Sequence, residues 1–196
     1  MSLEEIIRSV RNFAYEKSKK DDIHGFRHVE RVLKRSMEIG KILNANLTVI
    51  KIAALLHDVG RYVQKSDRVK NHAEISAEIA KEFLTKSNFS IKVEDLDNIL
   101  HCIRSHSFSN ELEPKTIEAK ILHDSDKLDA IGAIGLYRTI GFTLQNYGGI
   151  RQVIGHLENK ILRLKDLMYL DISKEMADTR HKLVLDFYNQ IKKELD

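Results

Sequence analysis

Three features of the sequence predict an all-α fold: proline occurs once, at Pro114, alternating β-branched runs are scarce, and apolar residues recur at three- and four-residue spacing almost throughout. Ser2 ahead of Glu4 and Glu5 predicts a capped first helix over roughly residues 3–16. Lys17 to Asp22 makes a polar break, and a second helix is expected from about Gly25 to Leu43, ended by Asn44-Ala45-Asn46. Thr48 is expected to cap a third helix, which carries the apolar run Ile52-Ala53-Ala54-Leu55-Leu56 up to Gly60 as its C-terminal stop. The charged segment to Asn71 reads as loop, and residues 72–86 and 93–106 as two amphipathic helices. Pro114 suits the first turn of another helix reaching about Leu128. From Ile131 onward two or three helices are expected, broken near Gly148-Gly149 and Asp171. No repeat or low-complexity linker appears. The expectation is one domain over residues 1–196, with residues 141–196 as a helical extension.

The composition narrows the function. The 196 residues hold 32 Lys+Arg against 29 Asp+Glu, with 42% hydrophobic residues, as in a water-soluble globular chain large enough to fold around its own core. No apolar run approaches the ~20 residues that span a bilayer, so no membrane association is expected. The first residues, Met1-Ser2-Leu3-Glu4-Glu5, lack a basic then apolar leader pattern, and the single Cys102 cannot form an internal disulfide. Both point to the cytoplasm. The basic excess is small and spread out, Trp is absent and aromatics are 7%, which argues against a stable nucleic-acid partner.

The chemistry lies in the histidines. Seven of nine (His24, His28, His57, His72, His101, His106 and His123) fall between residues 24 and 123. His57-Asp58 follows a buried apolar run, and burying such a pair is costly unless something compensates it. A cation would, since imidazole nitrogen and carboxylate oxygen together suit Mn, Fe, Co, Ni or Zn. The plainer alternative is that Asp58 orients His57 or helps end the helix. His24, His28, Arg31 and Arg35 follow four-three-four spacing and are expected on one helical face, able to hold a metal at one end and phosphate oxygens along its length. For Arg35 a solvated surface position is the stronger reading. His72 shares a stripe with Ile75, Ile79 and Phe83, and His106 continues one from Leu96, Ile99 and Ile103, so both point inward. His101, His156 and His181 read as structural or surface residues. Finally, His123-Asp124-Ser125-Asp126-Lys127-Leu128-Asp129 puts three carboxylates in an otherwise apolar helix. Spacing favours Asp124 as the inward one, in a stripe with Ile117, Ile121 and Leu128, while Asp126 lies well round the wheel.

The order His28, Leu56-His57-Asp58 and Asp-Ser-Asp-Lys-Leu-Asp resembles the HD-domain phosphohydrolase superfamily, and within it the small stand-alone bacterial enzymes of the YedJ/YpgQ type. The likeness spans roughly residues 20–140. It implies an HD helical bundle with one divalent metal (Mn, Fe, Co, Ni or Mg) held by His28, His57, Asp58 and Asp126. Against the spacing argument, the Ser125-Asp126-Lys127-Leu128 context matches the family's Asp-Arg-Leu and makes Asp126 the ligand, with Asp124 backing it up. Related enzymes hold a second metal at places corresponding to His72 and His106. The Gly-Tyr-Pro signature of cyclic dinucleotide phosphodiesterases is absent, and Val59-Gly60-Arg61-Tyr62 replaces the acidic pair of ppGpp hydrolases.

The resemblance therefore implies hydrolysis of a phosphate ester or nucleotide by a metal-activated water. Asp58 is expected to hold the metal and orient that water, and His106 to protonate the leaving oxygen. His24 and His72 are the leading phosphate contacts, with Arg27, Arg31, Arg61, Lys127 and Arg104 in reserve. The preferred reaction, inherited from the relatives, turns a nucleoside triphosphate into monophosphate plus pyrophosphate. The alternatives are a 5′-nucleotidase-type phosphomonoesterase and a non-catalytic metal or nucleotide sensor. A monomer and a homodimer are both compatible with the apolar stretch Ile131–Gly141.

Overall fold

The computed structural model describes residues 2–62, 71–87, 89–107, 110 and 112–195, and among them it is helical with no strand. The helices are α1 (Leu3–Lys17), α2 (Phe26–Ile42), α3 (Leu47–Leu56), α4 (His72–Lys86), α5 (Val93–Ser105), α6 (Ile117–Ala130), α7 (Gly132–Gln145), α8 (Ile150–Asn159) and α9 (Asp171–Leu195), with a 3-10 segment at Ile161–Leu167. The chain divides into two compact units, Met1–His123 and Asp124–Asp196, and α6 begins in the first and ends in the second.

In the first unit α3 is the axis. Val49, Ile50 and Ile52 to Leu56 are all buried, and α1, α2, α4 and α5 pack around it. Apart from the half-buried Thr48 and Lys51 this helix is apolar all round, which suits it to the centre of such a bundle. The amphipathic α1 lays Ile6, Val10 and Ala14 against the core, and its start is fixed by a capping box between Ser2 and Glu5. The buried Glu118 staples the base: its carboxylate accepts from the Asn46 backbone N–H at 2.8 Å and from Asn98 Nδ2 at 3.0 Å. Cys102 lies buried beside it; burial, then Glu118, pushes its thiol pKa well up, so it is inert as a nucleophile.

Several expected boundaries hold within a residue or two: α1, α2, α4 and α5, and the breaks near Gly148-Gly149 and Asp171. Three local expectations are corrected. Asn46, not Thr48, caps α3, its side chain accepting from the N–H groups of Thr48 and Val49. That helix ends at Leu56, and His57–Tyr62 form turns, so Gly60 is no helix stop. Its N–H donates to Ser76 Oγ at 2.9 Å, and a Cβ there would lie 2.6 Å from the Ser76 nitrogen. Gly60 is therefore required by close approach of the turn to α4. Pro114 lies ahead of α6, outside its first turn, and the start of α6 is served by Thr116, whose Oγ1 accepts from the Ala119 N–H. The expected loop to Asn71 falls, for residues 63–70, outside the described residues.

In the second unit α7 and α9 pack together and the 3-10 segment lies against α8 and α9. Its buried residues include many polar ones. The Asp124 carboxylate accepts from the backbone N–H groups of Tyr169 and Leu170 at 2.9–3.2 Å. Arg138 donates to the Asp129 carboxylate at 2.7 Å and to its carbonyl at 3.1 Å, both residues being buried. Arg180 donates to the Leu128 carbonyl. The stretch Ile131–Gly141 is mixed, with Leu136 and Arg138 buried and Ile134 and Tyr137 exposed. No helix among the described residues is long and apolar enough to cross a membrane.

Candidate metal centre

Four helix ends of the first unit meet around Asp58. His57 and His106 are the residues directly following α3 and α5, while His28 sits in the first turn of α2 and His72 opens α4. The C-terminal histidines are held alike. Each points its Nδ1 at the carbonyl three residues earlier, His57 to Ala54 at 2.7 Å and His106 to Ile103 at 2.6 Å. A carbonyl only accepts, so each Nδ1 carries the proton and each Nε2 faces inward.

The inward atoms form two triangles that share Asp58. His28 Nε2 and His57 Nε2 are 3.3 Å apart, and each lies 3.7 Å from Asp58 Oδ2. On the other side, His72 Nε2 and His106 Nε2 each lie 3.6 Å from Asp58 Oδ1. Donor atoms bound ~2.1 Å from one ion lie about 3.0–3.5 Å from one another, so the first triangle has nearly the size of a coordination polyhedron. Asp58 Oδ1 is buried without a hydrogen-bond partner among the described residues, which is costly for a carboxylate unless a cation supplies the missing contact. Neutral imidazole and carboxylate donors together fit a divalent transition-type cation.

Asp58 is held ionised. Burial pushes its pKa up, but the Arg61 guanidinium, together with whatever protons the facing imidazoles of His57, His106 and His72 carry, outweighs burial and holds it well below the usual carboxylate range. Arg61 Nε donates to Asp58 Oδ2 at 2.6 Å, and its Nη2 lies 3.5 Å from His72 Nε2. The turn carrying these groups is braced at both ends, by the Gly60–Ser76 contact and by Tyr62, whose hydroxyl donates to the His24 carbonyl at 2.9 Å.

The chain belongs to the HD domain family, whose model matches residues 25–131. Among its relatives is the YpgQ protein of Bacillus subtilis, 32% identical over 88% of this chain and 84% of that one. The crystal structure of YpgQ in complex with ADP superposes with a TM-score of 0.76, at 28% identity, covering 99% of this chain and 97% of that one. A predicted HD superfamily hydrolase from an uncultured Thermotogales bacterium matches all of both chains at 27% identity and a TM-score of 0.69. Ribonuclease Y of Thermoanaerobacter pseudethanolicus is 32% identical over 52% of this chain, a match that covers 19% of its own length.

The structure brings His28, His57, Asp58, His72, His106 and Arg61 together, six of the residues singled out from sequence. The remaining candidates make other contacts. His24 precedes the Gly25 cap of α2, so it is not on the expected helical face with His28; it contributes a carbonyl to Tyr62. Arg27 is largely exposed beside Glu30, Arg31 reaches the Asp22 carbonyl at 3.4 Å, and Arg35 pairs with Glu38 at 3.1 Å on the surface. Arg104 is engaged by both carboxylate oxygens of Glu74 at 3.0 Å. In the second unit Asp126 is half-buried, Asp124 holds the Tyr169–Leu170 backbone, and Lys127 is buried, its pKa lowered to about 8 by burial against the pull of Asp126 and Asp124. Ser76 and Tyr62 were missed from sequence, where nothing distinguishes them from other hydroxyl residues.

Proposed function

We propose that the protein is a metal-dependent phosphohydrolase acting on nucleotides, with nucleoside triphosphate cleavage to monophosphate and pyrophosphate as its preferred reaction. One observation carries the metal-dependent part: two triangles of histidine and carboxylate donors converge on the two oxygens of Asp58. The nucleotide part is supported by the YpgQ relative, which was crystallised with ADP.

His28, His57 and Asp58 Oδ2 would hold a first divalent ion, for which the family pattern alone adds Asp126. His72, His106 and Asp58 Oδ1 would hold a second. A bound ion of this kind supplies a water acidified to near-neutral pKa and polarises a phosphoryl oxygen. The protein's own contribution is to fix those donors. The Ala54 and Ile103 carbonyls hold His57 and His106 in the tautomer that aims Nε2 inward, and Arg61 neutralises Asp58 and, at the mouth, reaches toward His72. Arg61 is the guanidinium best placed to accompany a phosphate. A His106 ring that serves a second ion cannot also protonate the leaving oxygen, so with both ions bound that proton must come from water. The cytoplasm is the expected compartment, and manganese the first metal to test.

Phosphorus NMR of a mixed pool of nucleoside mono-, di- and triphosphates with a short oligoribonucleotide, incubated with protein and Mn²⁺, tests the reading against a His57→Ala control. Pyrophosphate formed from triphosphates supports it. Orthophosphate from monophosphates indicates a nucleotidase, and cleavage of the oligoribonucleotide a ribonuclease. An unchanged spectrum with metal bound indicates a sensor.

A further inference from the structure

The first unit carries a polar cavity that the proposed reaction does not use. It has a volume of about 430 Å³ and is lined by Arg11, Asn12 and Tyr15 of α1, Lys19 and Lys20 of the following turn, and Phe26, Arg27 and Glu30 of α2. Phe26 and Glu30 stand two residues before and after His28, which places each ~160° round the helix from it. The cavity therefore opens on a different face of α2 from the one bearing His28, while Lys19 of its lining touches Tyr62 of the turn that carries Asp58.

Its charge is one-sided. Four cations face the single carboxylate of Glu30, which forms a close ion pair with Arg11 and lies 3.6 Å from Arg27. Several are held by aromatic faces. Lys20 Nζ stands 3.0 Å above the Tyr15 ring and donates to the Tyr15 carbonyl at 2.9 Å, Lys19 Nζ lies 4.5 Å from the Tyr62 ring, and Arg11 lies 5.1 Å from the Phe26 ring. A ring face positions a cation without cancelling its charge. The segment presenting the lysines is also built rather than loose. Asp21 Oδ1 accepts from the N–H groups of Ile23 and His24, Phe26 N–H donates to the Lys19 carbonyl, and a side chain at Gly25 would strike the Asp21 and Lys19 carbonyls.

We propose that this cavity binds the polyphosphate group of a small molecule, at a site separate from the His–Asp centre. Fixed ammonium and guanidinium groups around a small-molecule-sized hollow are the donors a di- or triphosphate needs. The ligand is either inorganic pyrophosphate or a nucleotide whose base lies against Tyr15 and Phe26, whose rings meet edge to face at 5.2 Å.

Isothermal titration of the full chain in EDTA, with pyrophosphate and separately with ADP, tests this, because chelation removes any ion-mediated phosphate binding at the His–Asp centre. The expected result is saturable binding that His57→Ala leaves intact and that the double variant Arg11→Gln, Lys20→Gln weakens at least about tenfold. The double variant should keep its melting temperature and its Mn²⁺ stoichiometry, since it removes only exposed contacts. ADP binding more tightly than pyrophosphate, with the difference erased in Tyr15→Ala, identifies the nucleotide; equal affinities identify the inorganic ligand. No binding of either in EDTA, or binding lost in His57→Ala and kept in the double variant, overturns the proposal.

Discussion

The two units bury charge in different ways. In the second, the buried charges are met by neighbours of opposite charge or by backbone dipoles: Asp124 receives backbone N–H groups, Asp129 and Arg138 neutralise each other, and Lys127 feels the pull of Asp126 and Asp124. In the first, imidazole nitrogens face one another and a carboxylate at 3.3–3.7 Å, and Asp58 Oδ1 is left without a hydrogen bond among the described residues. Burial of charge alone therefore does not mark a functional site. What marks one is a set of imidazole and carboxylate ligand atoms from four helix ends converging on a common point.

The largest expected effect tests that distinction at its centre. Asp58→Asn removes the oxygen charge common to both triangles, and metal-dependent pyrophosphate release should fall at least about 1,000-fold, or ~4 kcal/mol in the barrier. Metal analysis after gel filtration should show the bound ion lost while the helical circular dichroism persists. Asp129→Asn should do the reverse. Breaking a buried ion pair from one side leaves Arg138 uncompensated, at a cost of about 3–5 kcal/mol in urea unfolding, with Mn²⁺ stoichiometry retained by whatever fraction remains folded.

Lys127 gives the contrast a pH dependence. Its folded pKa of about 8 lies below the unfolded 10.5, so in this window the unfolded chain binds the extra proton and stability rises with pH. Below about 8 the full penalty is present, and above 10.5 none of it is. Lys127→Met should therefore be more stable than the parent at neutral pH by about 3 kcal/mol in the metal-free protein, with the difference closing as pH approaches 10.5. A difference independent of pH would show that the lysine stays charged in its buried place. The smallest effect belongs to the rim of the site. His72 is the one partly exposed imidazole of the cluster, and His72→Ala should lower affinity for a second Mn²⁺ about tenfold while the first ion stays, as read by paramagnetic titration.

The helices of the first unit were legible because each carries its own punctuation and period. Ser2, Lys17–Asp22 and Asn44–Asn46 are local signals, and α3 declares itself by its nearly unbroken apolar run. His57 and Asp58 were legible for the same reason, as polar residues directly behind a run that must be buried. His72 and His106 were readable only as inward-facing; their convergence on one carboxylate depends on tertiary geometry that no helical wheel contains. The four-three-four spacing that grouped His24 with His28 runs across Gly25, the N-cap of α2, so His24 stands in the turn before the helix. Asp124 shows the converse. The spacing made it an inward carboxylate of its helix, as Glu118 and Asp129 also are, yet what meets it there is the backbone of Tyr169 and Leu170, forty-five residues away and invisible to any local pattern.

One contact without a side chain ties these observations together. Gly60 lets the turn bearing His57 and Asp58 press onto the start of α4, where His72 stands. In a saturation library scored for turnover, position 60 should therefore cluster with the ligand positions, although it offers no atom to an ion or a phosphate. A ranking of residues by their sensitivity would count it as catalytic machinery. Only a paired assay of ion uptake and melting temperature would reveal it as the hinge pin on which two of the donors are aligned.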